Sequence, residues 1–338
     1  MLASLFHGWE RRLHAITTDR VVRPFEWGDD WIDDVPSGTS DAQDASARLE
    51  AWAARATRDS DRFYHVEPAD AAEFDGHHLR FASAVTTPHP ENNTVHARFF
   101  QADDDSRRRA VVVLPQWNAD REGHVGLCRL FGRFGVSSLR LSLPYHDQRM
   151  PPELTRADYI VSSNIGRTIQ VCRQAVLDAR RAVQWLHAQG YERVGIIGTS
   201  LGSCLSMLTA AHEPLVRAAA FNHCSPWFAD VVWDGLSTEH VRRGLDGRIT
   251  LDELRTFWLP ISPFPFIEKL RGRRIFVVYA RYDLSFPLEL SKRFVDELGT
   301  RGVDHERFVL PCGHYSTGKF PFNWMDGLAL TRFFNRNL

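Results

Sequence analysis

Arg193-Val-Gly-Ile-Ile-Gly-Thr-Ser-Leu-Gly-Ser-Cys204 sets Ser200 between Gly198 and Gly202. The apolar run Val194 to Ile197 reads as a short buried strand, and Leu201, Leu205, Met207 and Leu208 open a helical pattern immediately beyond it. Serine therefore stands at the bend between strand and helix. A residue held there needs a strained backbone, and larger side chains two positions to either side would collide, so glycine flanks it. Such a turn lifts the serine Oγ above the strand ends. The free N–H groups of the new helix then face any negative charge developing on a bound carbonyl oxygen. Gly-x-Ser-x-Gly alone arises by chance in about one chain in ten of this length; the strand before it and the helix after it make the match informative.

Outward from this bend, strand patterns recur at Ala110 to Leu114, Ser138 to Leu143, Ala218 to Asn222, Ile275 to Ala280 and Arg307 to Leu310. Helical patterns lie at His124 to Phe134, Ile165 to Gln189, Leu201 to His212, Leu288 to Leu298 and Trp324 to Phe334. Apolar strands alternating with helices predict an α/β fold with a mostly parallel central sheet covered on both faces and ligands beyond the carboxyl ends of its strands. Upstream, Leu79 to Val85 and Thr94 to Phe100 predict a hairpin around Pro88 to Asn93. Residues 1–75, with helical spacing over Ala45 to Arg58, predict a helical N-terminal extension ahead of a main domain over 76–338. Pro226 to Arg271 exceeds what one crossover helix requires and predicts a helical cap over the strand ends, with Pro144 to Ile165 as the alternative cover.

A serine nucleophile needs a base, and the base an orienting acid. The strand at 275–280 runs into Arg281-Tyr282-Asp283 and the last strand into Pro311-Cys312-Gly313-His314, so Asp283 and His314 both follow strand carboxyl ends. The order Ser200, Asp283, His314, with Asp-x-x-x-Pro at Asp283 to Pro287 and Gly-His at 313–314, resembles the α/β-hydrolase superfamily over residues 76–338. That resemblance implies a serine esterase or lipase-like hydrolase: Ser200 attacks an acyl carbonyl, His314 takes its proton, and Asp283 fixes the imidazole tautomer. A carboxylic ester of modest size is the expected substrate. Peptidases, amidases and thioesterases use the same residues, and a binding protein that kept the fold without turnover is the alternative from another class. Many members carry His-Gly where this chain has Pro115-Gln116, so the implied oxyanion hole is built from the backbone N–H groups of Leu201, Trp117 and Gln116. The first 75 residues resemble nothing general in that family.

Single positions keep other readings. His124, His146 and His223 are reserve candidates for the base, and Asp230 or Asp234, after the preceding strand, for the acid. Asp283 also suits a helix N-cap. Trp227, Trp233 and Trp258, within the cap interval, are the candidate substrate-pocket residues, although sealing a cap against a sheet is the commoner task of such side chains. Asp246 to Glu253 mimics the second half of a calcium-binding EF-hand loop, but Arg242 and Gly244 occupy the places of its first acidic ligands. The doublets Asp29-Asp30 and Asp33-Asp34 read as solvated carboxylates. Nucleotide-binding glycine spacings and Cys-x-x-Cys or His-Glu-x-x-His patterns are missing, so no cofactor or metal is implied.

With 41 basic and 42 acidic residues the chain has no electrostatic footprint for nucleic acid or an anionic membrane. No apolar run approaches the roughly 20 residues needed to span a bilayer. The five scattered cysteines predict reduced core thiols. Together with an N-terminus too interrupted by charge for a signal peptide, they predict a cytoplasmic protein. Its expected partner is a small-molecule acyl substrate; a homo-oligomer is compatible with the sequence.

Overall fold

The computed structural model describes residues 2–32 and 42–338. Nine strands form one sheet: β1 Ala72–Phe74, β2 His78–Ala82, β3 Thr94–Phe100, β4 Arg109–Leu114, β5 Ser137–Leu141, β6 Arg193–Thr199, β7 Val216–Asn222, β8 Arg274–Ala280 and β9 His305–Leu310. Their order is β1-β2-β3-β5-β4-β6-β7-β8-β9. The first three and β5 pair antiparallel, and every pairing from β5 through β4 to β9 is parallel. The helices are α1 Leu2–His14, α2 Ala42–Arg58, α3 Ser60–Phe63, α4 Val125–Arg133, α5 Ile165–Ala188, α6 Leu201–His212, α7 Phe228–Asp234, α8 Glu239–Leu245, α9 Leu251–Phe257, α10 Leu288–Thr300 and α11 Phe322–Asn337.

Alternation along β4 shows why the sheet is covered twice. Val111 and Val113 join Phe131 of α4 and Phe334 of α11 in one buried layer. Ala110, Val112 and Leu114 join Val183 of α5, Leu205 of α6 and Phe294 of α10 in the other. A strand apolar on both faces cannot be an edge or a half-solvated strand, so helices must cover both sides. At the start of α5, Asn164 accepts a bond from the Arg167 N–H at 2.9 Å while its amide donates to Glu26 at 2.7 Å, tying the N-terminal chain to the main body. The calcium-like stretch has a different explanation: Thr250 and Glu253 form a reciprocal capping box at the head of α9.

The expected cap requires correction. From Pro226 to Arg271 the chain forms α7, α8, α9 and three short 3-10 helices, Leu236–Thr238, Leu259–Ile261 and Phe264–Leu270. Much of its apolar content enters the core shared with α5, α6 and α2. Trp258 is fully buried and donates its indole N–H to the Ile165 carbonyl at 3.3 Å, while the Tyr64 hydroxyl donates to the Pro260 carbonyl at 2.8 Å. The helical N-terminal residues close around this body: α1 stacks Phe6 on Tyr282 with ring centroids 4.5 Å apart. Among the described residues, no helix is long and apolar enough to cross a membrane.

Candidate active site

β6 delivers Ser200 at its carboxyl end, and α6 begins at the next residue. Ser200 has φ 57° and ψ −122°, a conformation that L-residues adopt only under constraint. The constraint is packing. A Cβ on Gly198 would lie 1.8 Å from the Gly202 carbonyl oxygen, and one on Gly202 would lie 2.3 Å from that of Leu114. Both glycines are thus required by contact between β6, α6 and the end of β4. The Ser200 N–H is anchored to the Asn222 carbonyl at 2.8 Å.

Two loops complete the arrangement. His314, just after β9, accepts the Ser200 hydroxyl at Nε2 (3.1 Å) and donates from Nδ1 to Asp283 Oδ2 (3.0 Å). Asp283, just after β8, accepts on Oδ1 from the N–H groups of Ser285 (2.8 Å) and Phe286 (2.7 Å), which fixes its carboxylate plane. Burial alone would raise the Asp283 carboxyl, but the His314 and His223 imidazoles beside it prevail and hold it below the usual carboxylate range. Burial alone would likewise lower His314; the charge and hydrogen bond of Asp283, with Glu10, outweigh it and raise the imidazole. Phe286 stacks on the His314 ring at 5.6 Å and 4°. The group that can take the serine proton is thereby locked in one orientation and one tautomer.

The N–H groups of Gln116, Trp117 and Leu201 have no acceptor among the described residues, as expected at the end of β4 and the first residue of a helix. Gln116 and Trp117 line, with Ser200 and His314, a cavity of about 1210 Å³. Trp117 is held by a bond from its indole N–H to the Ala157 carbonyl at 2.9 Å and by stacking on His240. The cavity walls come from Thr17, Asp19 and Arg20 of the N-terminal segment, from α4, from Met150, Thr155 and Arg156 of the loop between β5 and α5, and from the start of α11. That loop is the alternative cover weighed from sequence. Of the interval 226–271 only Ser237 reaches the cavity.

The three tryptophans assigned to the pocket stand elsewhere. Trp258 is in the core, Trp227 packs on Phe264 and under Arg293, and Trp233 lies under Arg242. Other candidates are also placed: Asp230 pairs with Arg255, and His146 accepts the Asn118 N–H at 2.9 Å, which shapes the turn after Trp117. His124 faces the cavity and bonds Thr199 at 2.9 Å. Asp29 pairs with Arg48; Asp33 and Asp34 lie outside the described residues.

Sequence reasoning gave His223 only as a reserve base and missed two acidic groups. His223 donates from Nδ1 to the same Asp283 oxygen that His314 uses, at 2.8 Å. Its place at the end of β7 is the signal that could have found it. Asp326 of α11 accepts the Asn222 amide at 2.8 Å and is raised by burial to about 6. Glu10 of α1 accepts the N–H groups of Tyr315 and Ser316, the two residues after His314. His223, Asp283 and His314 place three ligand-type atoms within 4.8 Å of one another. Both imidazoles bond one carboxylate oxygen directly.

No family model and no curated relative matches the chain. Solved structures do. Acetyl xylan esterase 1 from a Thermoanaerobacterium species is 14% identical with a TM-score of 0.59, covering 96% of this chain and 98% of its own. An acetyl xylan esterase from a Paenibacillus species is 12% identical with a TM-score of 0.60, covering 90% and 97%. The acylaminoacyl peptidase of Pyrococcus horikoshii is 13% identical with a TM-score of 0.60 over 82% of this chain, which spans 43% of that longer protein. The sheet order, the strained serine turn and these likenesses together show that the chain has the fold of the α/β-hydrolase superfamily.

Proposed function

We propose that this protein is a serine hydrolase that cleaves a carboxylic ester through an acyl-enzyme intermediate. The observation that carries this reading is the continuous chain from Ser200 Oγ through His314 to Asp283, on a cavity wall beside unpartnered backbone N–H groups. In the cycle, Ser200 Oγ bonds to the ester carbonyl carbon as its proton passes to His314 Nε2, and Asp283 stabilises the imidazolium formed. The carbonyl oxygen, now negative, lies toward the N–H groups of Leu201 and of Trp117 or Gln116. His314 returns the proton to the leaving alkoxide, and water repeats the sequence to release the acid. The acetyl esterases of the same fold make an acyl ester the favoured substrate class over an amide, since they match along nearly their whole length. Five unpaired, buried cysteines support the cytoplasmic location expected from the sequence.

The test is labelling with a fluorophosphonate probe and turnover of p-nitrophenyl esters of rising chain length. Native protein should label and the heat-denatured protein should not. Ser200→Ala should abolish labelling and lower turnover by about 10⁴ to 10⁶ while leaving the thermal transition in place. Turnover within tenfold of the wild type in that variant removes Ser200 from the mechanism.

A further inference from the structure

The residue on which the histidine loop rests is supplied by the far end of the chain. Glu10 is fully buried, although ionisable side chains reach that state only when paired or hydrogen-bonded. Its two carboxylate oxygens are divided between two backbone donors: Oε2 accepts from Tyr315 at 2.8 Å and Oε1 from Ser316 at 2.9 Å. The fit on the other side is closed as well, because a Cβ on Gly313 would lie 2.3 Å from Glu10 Cδ. His314 is thus bracketed by a glycine that makes room for Glu10 and by two N–H groups that bind it. The same helix reaches the acid loop, where Phe6 stacks on Tyr282, next to Asp283. His14, at the end of α1, packs its ring against Tyr315 at 5.8 Å.

We propose that Glu10 is a positioning residue for His314, and that docking of α1 through this carboxylate sets the geometry of the Ser200–His314 pair. This rests on the serine hydrolase reading above for its kinetic consequence, but the contact itself does not. Charge-assisted bonds to backbone N–H groups are short and directional, so a bidentate carboxylate fixes the loop rather than merely filling space. Glu10 also acts on the imidazole through its charge, in the direction that raises His314. The groups facing His314 are Asp283 from the β8 loop, His223 from the end of β7, Tyr315 beside it and Glu10 from α1. Arg20 and His14 stand around Tyr315, and His223 in turn acts on Asp326 of α11.

Glu10→Gln in the full-length protein separates positioning from packing, because the amide keeps the volume and one acceptor but loses the charge and the second acceptor. We expect kcat to fall on the order of 10²-fold with KM changed less than threefold. The acid limb of kcat/KM should move to lower pH. The NMR titration of the His314 imidazole should move the same way, and it is read whether or not the protein hydrolyses any ester. If the wild type turns over no ester, the functional reading fails while the titration still decides the role of Glu10. A His314 titration unmoved in Glu10→Gln, or a wild-type kcat in that variant, overturns the proposal.

Discussion

His223 shows how one residue can tune another through a shared atom. Asp283 Oδ2 accepts two imidazole N–H groups, from His314 at 3.0 Å and His223 at 2.8 Å, so the negative charge that supports His314 is partly spent on its neighbour. The two rings are 4.8 Å apart, and the buried His223 Nε2 has no partner among the described residues. Removing the second donor leaves more of the carboxylate charge for His314 and should raise its pKa further. In the proposed cycle His314 must be neutral to take the serine proton, so a raised pKa moves the acid limb of kcat/KM to higher pH. We predict this upward movement in His223→Phe, with kcat lowered about tenfold because Asp283 loses part of its anchoring. A pH profile recorded from pH 5 to 9 checks both; an acid limb moved downward would show that His223 supports the imidazolium rather than competing for its counter-charge. The opposite signs expected for His223→Phe and Glu10→Gln make the pair of variants a stronger test than either alone.

Among the elements, the interval from Pro226 to Arg271 separates what sequence shows from what it hides. Its length and aromatic density were legible, and its helices exist. Its direction was not, because a one-dimensional pattern cannot say which apolar face a segment meets. Leu254 and Phe257 of α9 and Trp258, which caps it, lie at helical spacing on one side, and all three are buried in the core that α5 and α6 share. We therefore predict that Trp258→Ala costs about 3–5 kcal/mol of stability, as a large core truncation does, and leaves the chain-length preference among esters unchanged. Denaturant unfolding beside an ester panel measures both, and a changed preference at unchanged stability would return Trp258 to the pocket. By contrast, the inner parallel strands β4 to β8, almost wholly buried, begin and end within about two residues of their sequence patterns, since burial on both faces gives an unambiguous apolar run. The three-residue, exposed β1 carries no such run and was not foreseen. The meeting of Ser200, Asp283 and His314 was legible because each follows a strand that ends on the same side of one sheet. Glu10 left no local mark: its contacts span some three hundred residues, and no spacing rule connects α1 to a loop after β9.

For the molecule as a whole, the buried histidines set the acid limit of stability. Burial lowers His124, His146 and His212 to about 4 and His240 to about 3, each from an ordinary value of 6.5. A depressed folded value means that the unfolded chain binds these protons first. The stability these groups contribute is complete above 6.5 and is lost as pH falls toward 4. Asp326, raised to about 6, works in the opposite sense by one proton over part of the same interval. Among these five groups the balance is about three protons taken up on unfolding near pH 5, or roughly 4 kcal/mol lost per pH unit. Two such units remove about 8 kcal/mol, a large part of a marginal stability of about 5–15 kcal/mol, so we predict that acid unfolding begins between pH 6 and 4, before most carboxylates take up protons. His240 offers the control. Both of its ring nitrogens are buried without a partner among the described residues, and its ring stacks on Trp117 at 5.5 Å and 11°. His240→Phe preserves the stack and removes one of the depressed groups, so it should reduce the slope of unfolding free energy against pH by about 1.4 kcal/mol per unit and stabilise the protein most at the acid end. Denaturant melts at pH 7, 6 and 5 for both proteins measure the slope. Equal slopes would mean that His240 accepts its proton in the folded state, and with it that the wall behind Trp117 opens to water as the pH falls.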